Sequence, residues 1–259
     1  MKKLLLLVGF MCISLFIKAQ ATAKQYSIRT LAFYNVENLF DTINDPTKND
    51  EASPIMKLKT NKSKVYWDKI DKLGNVISQI GSDMTKTGPA LIGLSEIENK
   101  AVLEDLVKSK YLEKMNYDII HYESLDKRGI DVALLYQKRY FKPIHHESFT
   151  PIIFRNNFRV YTRDQLLVSG YLDDELIHVI VNHWPSRSGG ETATRVLREK
   201  TAYQNVKIIE KIKETEPNAK IFSMGDFNDD PINSSFKNIL KTKGKKKNVK
   251  KGDLYNPFE

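Results

Sequence analysis

The sequence predicts an α+β fold of layered sheets with helices on their outer faces, and three observations carry it. Long segments with apolar residues at helical spacing are separated by clusters of short β-rich runs. No internal repeat divides the chain. Polar residues gather directly after several of the apolar runs, which is where sites assemble in layered folds.

Residues 27–35 alternate and are β-rich, so they read as a first strand, and the polar stretch 41–61 reads as a loop. Residues 64–80 place Val65, Ile70, Leu73, Val76, Ile77 and Ile80 at helical spacing. The apolar run 90–95 ends in Glu96 and reads as a buried strand with an acid at its tip, and 101–115 as a second helix. Strands follow at 117–122, 131–136, 165–171 and 176–182, the last two joined by a turn at Asp173-Asp174. A long helix at 192–214, an apolar strand at 220–225 and a short helix at 233–240 complete the pattern.

The amino terminus bounds where the chain works. Lys2 and Lys3 precede an apolar run from Leu4 to Ile17, and Lys18-Ala19-Gln20-Ala21 follows. This is the layout of a secretory signal peptide over residues 1–20, cleaved near Gln20, and the run is shorter than the roughly 20 apolar residues of a spanning helix. The bulky Met11 before Cys12 argues against lipid attachment at that cysteine. The expected product is a secreted or periplasmic domain, residues 21–259, with no later transmembrane segment and no cysteine. A thiol nucleophile and a cysteine-based zinc site are thereby excluded, and any metal must be a hard ion on carboxylates, amides or histidines. The net charge of +9 is local. Three lysines lie in the signal and seven between Lys241 and Lys251, which leaves the rest near neutral. Such a lysine-rich run reads as a solvated, tail-like segment that attracts polyanions at low salt.

Four segments carry candidate chemistry: Asn35-Val36-Glu37-Asn38, Ser95-Glu96-Ile97-Glu98, Asn182-His183-Trp184-Pro185-Ser186-Arg187 and Gly225-Asp226-Phe227-Asn228. In the last, Gly lets backbone approach a ligand, and Asp-x-Asn offers a carboxylate and an amide on one side, although an Asx turn uses the same residues. Glu96 at a buried strand end must be paired or bind metal, and a lysine partner would serve equally. Asn35 could simply cap a turn. His183 can donate to a phosphate oxygen or shuttle a proton, while a lone histidine is more often structural. His121, His145, His146 and His178 lack such company and read as surface or strand residues.

In this order the four segments resemble the endonuclease/exonuclease/phosphatase superfamily, over most of residues 27–240. The wording Asn-Val-Glu-Asn-Leu-Phe-Asp and Asn-His-Trp-Pro-Ser-Arg is similar to a secreted bacterial branch. The resemblance implies an α/β sandwich of two packed, mostly antiparallel sheets flanked by helices. It implies Glu96 as principal metal ligand with Asn35 and Glu37 beside it, Asp226 orienting the attacking water, and Asn228 and His183 on the scissile phosphate. Arg128 and Asp131 fall where relatives contact substrate, although a turn salt bridge explains them as well, and Arg187 is a further phosphate-contact candidate. The cofactor implied is Mg²⁺, with Mn²⁺ or Ca²⁺ as alternatives.

The family's succession ends in a strand followed by Ser-Asp-His, and no histidine occurs here after His183. The expectation is therefore a domain incomplete at its carboxyl terminus, lacking final strands, and less active than a longer form. The leading function is a secreted, monomeric, metal-dependent nuclease cleaving DNA or RNA by in-line water attack. The alternatives are a phosphatase or phosphodiesterase for lipid head groups or inositol phosphates, and an inactive binder of anionic surfaces.

Overall fold

The computed structural model describes residues 26–259, so the signal segment and Cys12 lie outside the described residues. Two four-stranded sheets form the centre. One contains β1 (Leu31–Leu39), β2 (Leu91–Ile97), β3 (Tyr117–His121) and β4 (Asp131–Gln137), in the order β1-β2-β4-β3. The other contains β5 (Phe141–Phe149), β8 (Gln165–Leu172), β9 (Glu175–His183) and β10 (Ile221–Asp226), in the order β10-β9-β8-β5. Each sheet has one parallel pair, β1 with β2 and β9 with β10, and is otherwise antiparallel.

The strands β2, β4, β8 and β9 read as nearly continuous apolar runs because both their faces are covered. Between the sheets, Leu91, Val132 and Leu134 of one meet Phe141, Leu166, Val168, Val179 and Val181 of the other. On the outer face of the first sheet, helices α1 (Lys62–Gln79) and α3 (Lys100–Val107) bury Ile70, Leu73, Ile77, Val102, Leu103 and Leu106. Between them in sequence is a single helical turn, α2 (Ser82–Thr85). On the outer face of the second sheet, helix α4 (Glu191–Thr215) packs Ala202, Ile208, Ile209 and Ile212 against Leu167, Ile180 and Trp184. The result is a helix–sheet–sheet–helix sandwich, as the sequence predicts.

The differences from expectation have local causes. The helix predicted over 101–115 stops at Val107 and resumes only as a 3₁₀ turn, Glu113–Met115. Between them the chain turns tightly to press Ser109 onto α1, where a Cβ at Gly74 would lie 2.4 Å from the Ser109 hydroxyl. The first strand runs from Leu31, later than its β-rich sequence implies. Strand β5 escapes sequence reading because Phe141–Phe149 carries Pro143 and polar residues. Both are tolerated at the sheet edge it occupies, with a register shift after Pro143. Asp173 and Asp174 both have positive φ, the conformation of a two-residue hairpin turn.

A small hairpin, β6 (Ile153–Arg155) and β7 (Phe158–Val160), stands apart from both sheets and turns at Asn156-Asn157, again with positive φ at both residues. Asp164 closes its base, accepting hydrogen bonds from Ser148 Oγ (2.7 Å) and Thr150 Oγ1 (3.1 Å), while its other oxygen is buried without a partner. Burial holds the Asp164 carboxyl above its ordinary 3.8. The folded state then keeps a proton that the unfolded chain has lost, so stability falls as pH rises from 3.8 through the folded value. Asp164→Asn is expected to flatten that slope, read as melting temperature against pH, and an unchanged slope would count against it.

After β10 come a π-helical turn, Ser235–Leu240, and a 3₁₀ turn, Lys246–Asn248. The lysine-rich run is solvated, as expected, but its backbone is pinned. Leu240 and Leu254 pack against the α4 core on either side of it, Lys243 bridges to Tyr255, and Lys213 Nζ donates to Gly252 O (2.8 Å).

Candidate active site

The ends of β1, β2, β9 and β10 converge at one end of the sandwich. Parallel pairing sets Asn35 level with Ser95 and Asp226 level with His183. Glu96, one residue on, sits at a bulge where register shifts against β4, with φ of 65°. A bulge re-aims one side chain, and the left-handed backbone costs a non-glycine residue about 1–2 kcal/mol. Glu37, Asn38 and Asn228 share this conformation. Strain of this kind persists where the surrounding structure over-determines it, and it gathers here at the strand ends that form the site.

Asn35 joins the two carboxylates. Its Nδ2 donates to Glu96 Oε1 and to Asp226 Oδ2, each at 3.1 Å, while its Oδ1 accepts from Glu37 N at 2.8 Å. Asp226 is fixed through its other oxygen, which accepts from Asn228 N (3.0 Å). Asn228 Nδ2 donates to Trp184 O (3.0 Å), and Trp184 N to Asp226 O (2.9 Å). Gly225 is needed here because any Cβ would fall 2.3 Å from Asn182 O.

His183 Nε2 lies 3.9 Å from Asp226 Oδ2, beyond a direct hydrogen bond. The ring is buried, with Nδ1 unpartnered. Burial, with Arg163 and Arg128 adding to it, pushes its pKa down to about 2, so the imidazole is neutral. Its orientation comes from behind. Buried Asn182 accepts from Trp184 Nε1 (3.1 Å) and Asn205 Nδ2 (2.8 Å), and donates to Met224 O (3.1 Å), locking the ends of β9 and β10 together.

The remaining expected residues divide. Arg128 is half exposed, with its guanidinium 3.6 Å from Asp126 and its charge adding to the downward shift at His183. Asp131 does not join the cluster. It is buried, accepts from Ser124 N (2.8 Å) and lies 3.3 Å from His121 Nε2, the turn-bracing role the sequence left open. Arg187 is likewise a brace and not a free phosphate donor. Its Nε donates to Asn228 O (2.8 Å), and Asp230 (3.0 Å), Glu191 (3.6 Å) and Asp229 (3.9 Å) surround its charge. The Glu37 side chain is exposed, and its carbonyl accepts from Lys69 Nζ.

Two contributors escape sequence reading. Arg163 is buried, donates from Nε to His183 O (3.2 Å) and from Nη2 to Trp184 O, and pairs with Asp126 (3.4 Å). The signal for it was an Arg-Asp pair directly before an apolar strand. Lys69 on α1 also donates to Asn38 O (3.2 Å), and nothing in its helical context announces this. Beside the cluster, Asp41, Asp45, Asp50, Glu98, Glu123 and Asp131 line an acidic cavity with Lys48. Burial there pushes the Glu98 carboxyl up to about 7.

Among the described residues no group of three or more His, Cys, Asp and Glu side chains is arranged to hold a metal. The two carboxylates joined through Asn35 are nevertheless a hard-oxygen donor set. They suit an ion such as Mg²⁺, which takes one or two carboxylates and keeps its other positions for water and substrate oxygens.

The comparisons with known proteins agree with this architecture. No curated protein sequence matches the chain. Among solved structures, a functionally unknown conserved protein from Enterococcus faecalis superposes with a TM-score of 0.53 at 16% identity, covering 82% of this chain and 71% of that one. An endonuclease/exonuclease/phosphatase family protein from Bacteroides thetaiotaomicron gives 0.51 at 13% identity, covering 82% of this chain and 66% of that one. A truncated TDP2 from Caenorhabditis elegans gives 0.44 at 18% identity, covering 61% of this chain and 56% of that one. The chain thus spans less than two thirds of the length of the last two. The first two likenesses show the fold. The sequence profile of the Endonuclease/Exonuclease/phosphatase family matches residues 30–259, nearly every described residue, and the chain belongs to that family.

Proposed function

We propose that the chain is a divalent-metal-dependent phosphodiester hydrolase acting on nucleic acid. The observation that carries this reading is the convergence of Glu96 and Asp226 on one Asn35 amide, with a neutral imidazole 3.9 Å from Asp226. Glu96, oriented by the Asn35 amide, would hold an ion of the Mg²⁺ class, with Mn²⁺ or Ca²⁺ as alternatives. Bound there, the ion would supply Lewis-acid polarisation of a phosphoryl oxygen.

The chain's own residues do the rest. Asp226 Oδ2 accepts a hydrogen bond from, and so orients, the attacking water beside His183 and takes its proton as the water attacks. His183, neutral, offers one N–H to a phosphate oxygen as charge develops, without itself titrating in the physiological range. Asn228 holds Asp226 through its backbone and stands ready to meet the phosphate with its amide. Arg128, half exposed, meets the substrate's phosphates directly, whereas buried Arg163 contributes its field and anchors the His183–Trp184 backbone. Nucleic acid is favoured over a lipid head group by this concentration of arginine around a site in an otherwise near-neutral body. The amino-terminal segment is read as an export signal, which places the reaction outside the cytoplasm, and the active unit as a monomer.

The test is a substrate panel of plasmid DNA, RNA, sphingomyelin and bis-p-nitrophenyl phosphate, with Mg²⁺, Mn²⁺, Ca²⁺ or EDTA. Nicking of plasmid or RNA that EDTA abolishes is expected. Hydrolysis of sphingomyelin alone would overturn the substrate, and EDTA-resistant activity would overturn the metal.

A further inference from the structure

The β6–β7 hairpin is unpartnered by either sheet and displays large aromatic side chains to solvent. Phe158 is 78% and Phe154 50% exposed, and Tyr161 at its base is also exposed. Such side chains cost free energy in water and mark interaction sites when they cluster. The cluster here is patterned. Phe154 lies opposite Arg159 and Phe158 opposite Arg155, so each face of the hairpin pairs one ring with one guanidinium. The Arg159 guanidinium sits 5.7 Å from the Phe154 ring and 5.8 Å from that of Tyr161. No acidic residue occurs from Thr150 to Tyr161.

The base of the hairpin is linked to residues that surround the site already described. Arg163, which holds the His183–Trp184 backbone, follows its base by two residues after Tyr161. Lys127, next to Arg128, places its ammonium 5.8 Å from the Tyr161 ring. Lys200 of α4 donates to Phe154 O (2.9 Å), steadying the hairpin from the other side.

We infer that this hairpin is a binding platform for single-stranded nucleic acid, stacking bases on Phe158 and Phe154, one on each face, and pairing phosphates with Arg155 and Lys127, while Arg159 braces the hairpin through Pro151 O. The chemistry is that of single-strand recognition, in which rings accept any base and interleaved cations follow the backbone. A membrane surface fits less well. The turn that would enter a bilayer first is the polar Asn156-Asn157, and the rings alternate with arginines instead of forming one apolar tip. The inference rests on the nucleic-acid reading of the site and adds that the strand is held unpaired beside it.

The test is fluorescence anisotropy of the purified chain with a fluorescein-labelled oligothymidylate in EDTA, where no hydrolysis occurs. Phe154→Ala/Phe158→Ala is expected to weaken binding about tenfold or more, and Phe158→Trp to preserve it. Arg155→Ala/Lys127→Ala is expected to lower the slope of log affinity against log salt by roughly 1.4, about 0.7 for each phosphate no longer neutralised. The melting temperature and bis-p-nitrophenyl phosphate hydrolysis of the hairpin variants should match the parent. Equal binding by the parent and the Phe154→Ala/Phe158→Ala variant, or no binding by the parent, would overturn the inference. So would a loss of phosphatidylserine-vesicle binding in that variant with oligothymidylate binding intact. A parent that binds the oligonucleotide but hydrolyses nothing would refute the hydrolase reading while upholding the platform.

Discussion

Asp226→Asn is expected to lower hydrolysis of bis-p-nitrophenyl phosphate by about 10²- to 10⁴-fold, the range for removing a positioned acid or base. The physical case lies in how both carboxylate oxygens are used. One accepts from Asn228 N and the other from Asn35 Nδ2. An amide in its place can accept at only one of these positions, and whichever way it turns, its NH₂ meets another N–H. The oxygen facing His183 is then lost, or the Asn228 turn is. The side chain is partly exposed, so the loss should fall on rate far more than on stability. Thermal melting alongside kcat separates the two, and an unchanged kcat would reject the assigned role.

Asp229→Ala should carry the largest stability cost. Asp229 and Arg198 form an ion pair at 2.6 Å with both side chains fully buried. Asp229 also accepts from Ser235 Oγ (2.6 Å) and Asn233 Nδ2 (2.9 Å), while Arg198 donates to Thr194 Oγ1 (2.8 Å) and Glu191 O (3.1 Å). Removing one partner strands the other charge in the interior, which costs about 3–5 kcal/mol. For a chain of this size that is a fall of roughly 6–20 °C in melting temperature. Replacing both, as Arg198→Met/Asp229→Leu, should recover most of it, because a well-packed apolar pair avoids the desolvation penalty. If the double variant is no better than the single one, the hydrogen bonds to Ser235 and Asn233 dominate instead. The pair braces the loop after Asn228 against the start of α4, so activity should fall with stability in the single variant.

What was legible in the sequence follows from what neighbours along the chain can dictate. The buried strands β2, β4, β8 and β9 were visible as apolar runs because each is covered on both faces, and β10 was visible through its apolar residues although it lies at a sheet edge. The helices α1 and α4 were visible through helical periodicity, and the Asp173-Asp174 turn through its residue types. Strand β5 was not, since an edge position tolerates Pro143 and polar side chains that argue against a strand. The break in the second helix depends on Ser109 reaching Gly74, a contact between residues distant in sequence.

The site divides along the same line. The sequence by itself determined the family, the layered fold and the four segments bearing Asn35, Glu96, His183 and Asp226, because strand-end motifs are local. Only the tertiary structure decided that Asn35 joins Glu96 to Asp226, that Asp131 and Arg187 brace loops, and that Arg163 lies behind His183. It alone decided that His183 is neutral and that the Phe154–Phe158 hairpin stands apart from both sheets. The reason is physical: hydrogen-bond partners, burial and the field at a titrating group are set by atoms dozens of residues away, which no local pattern encodes.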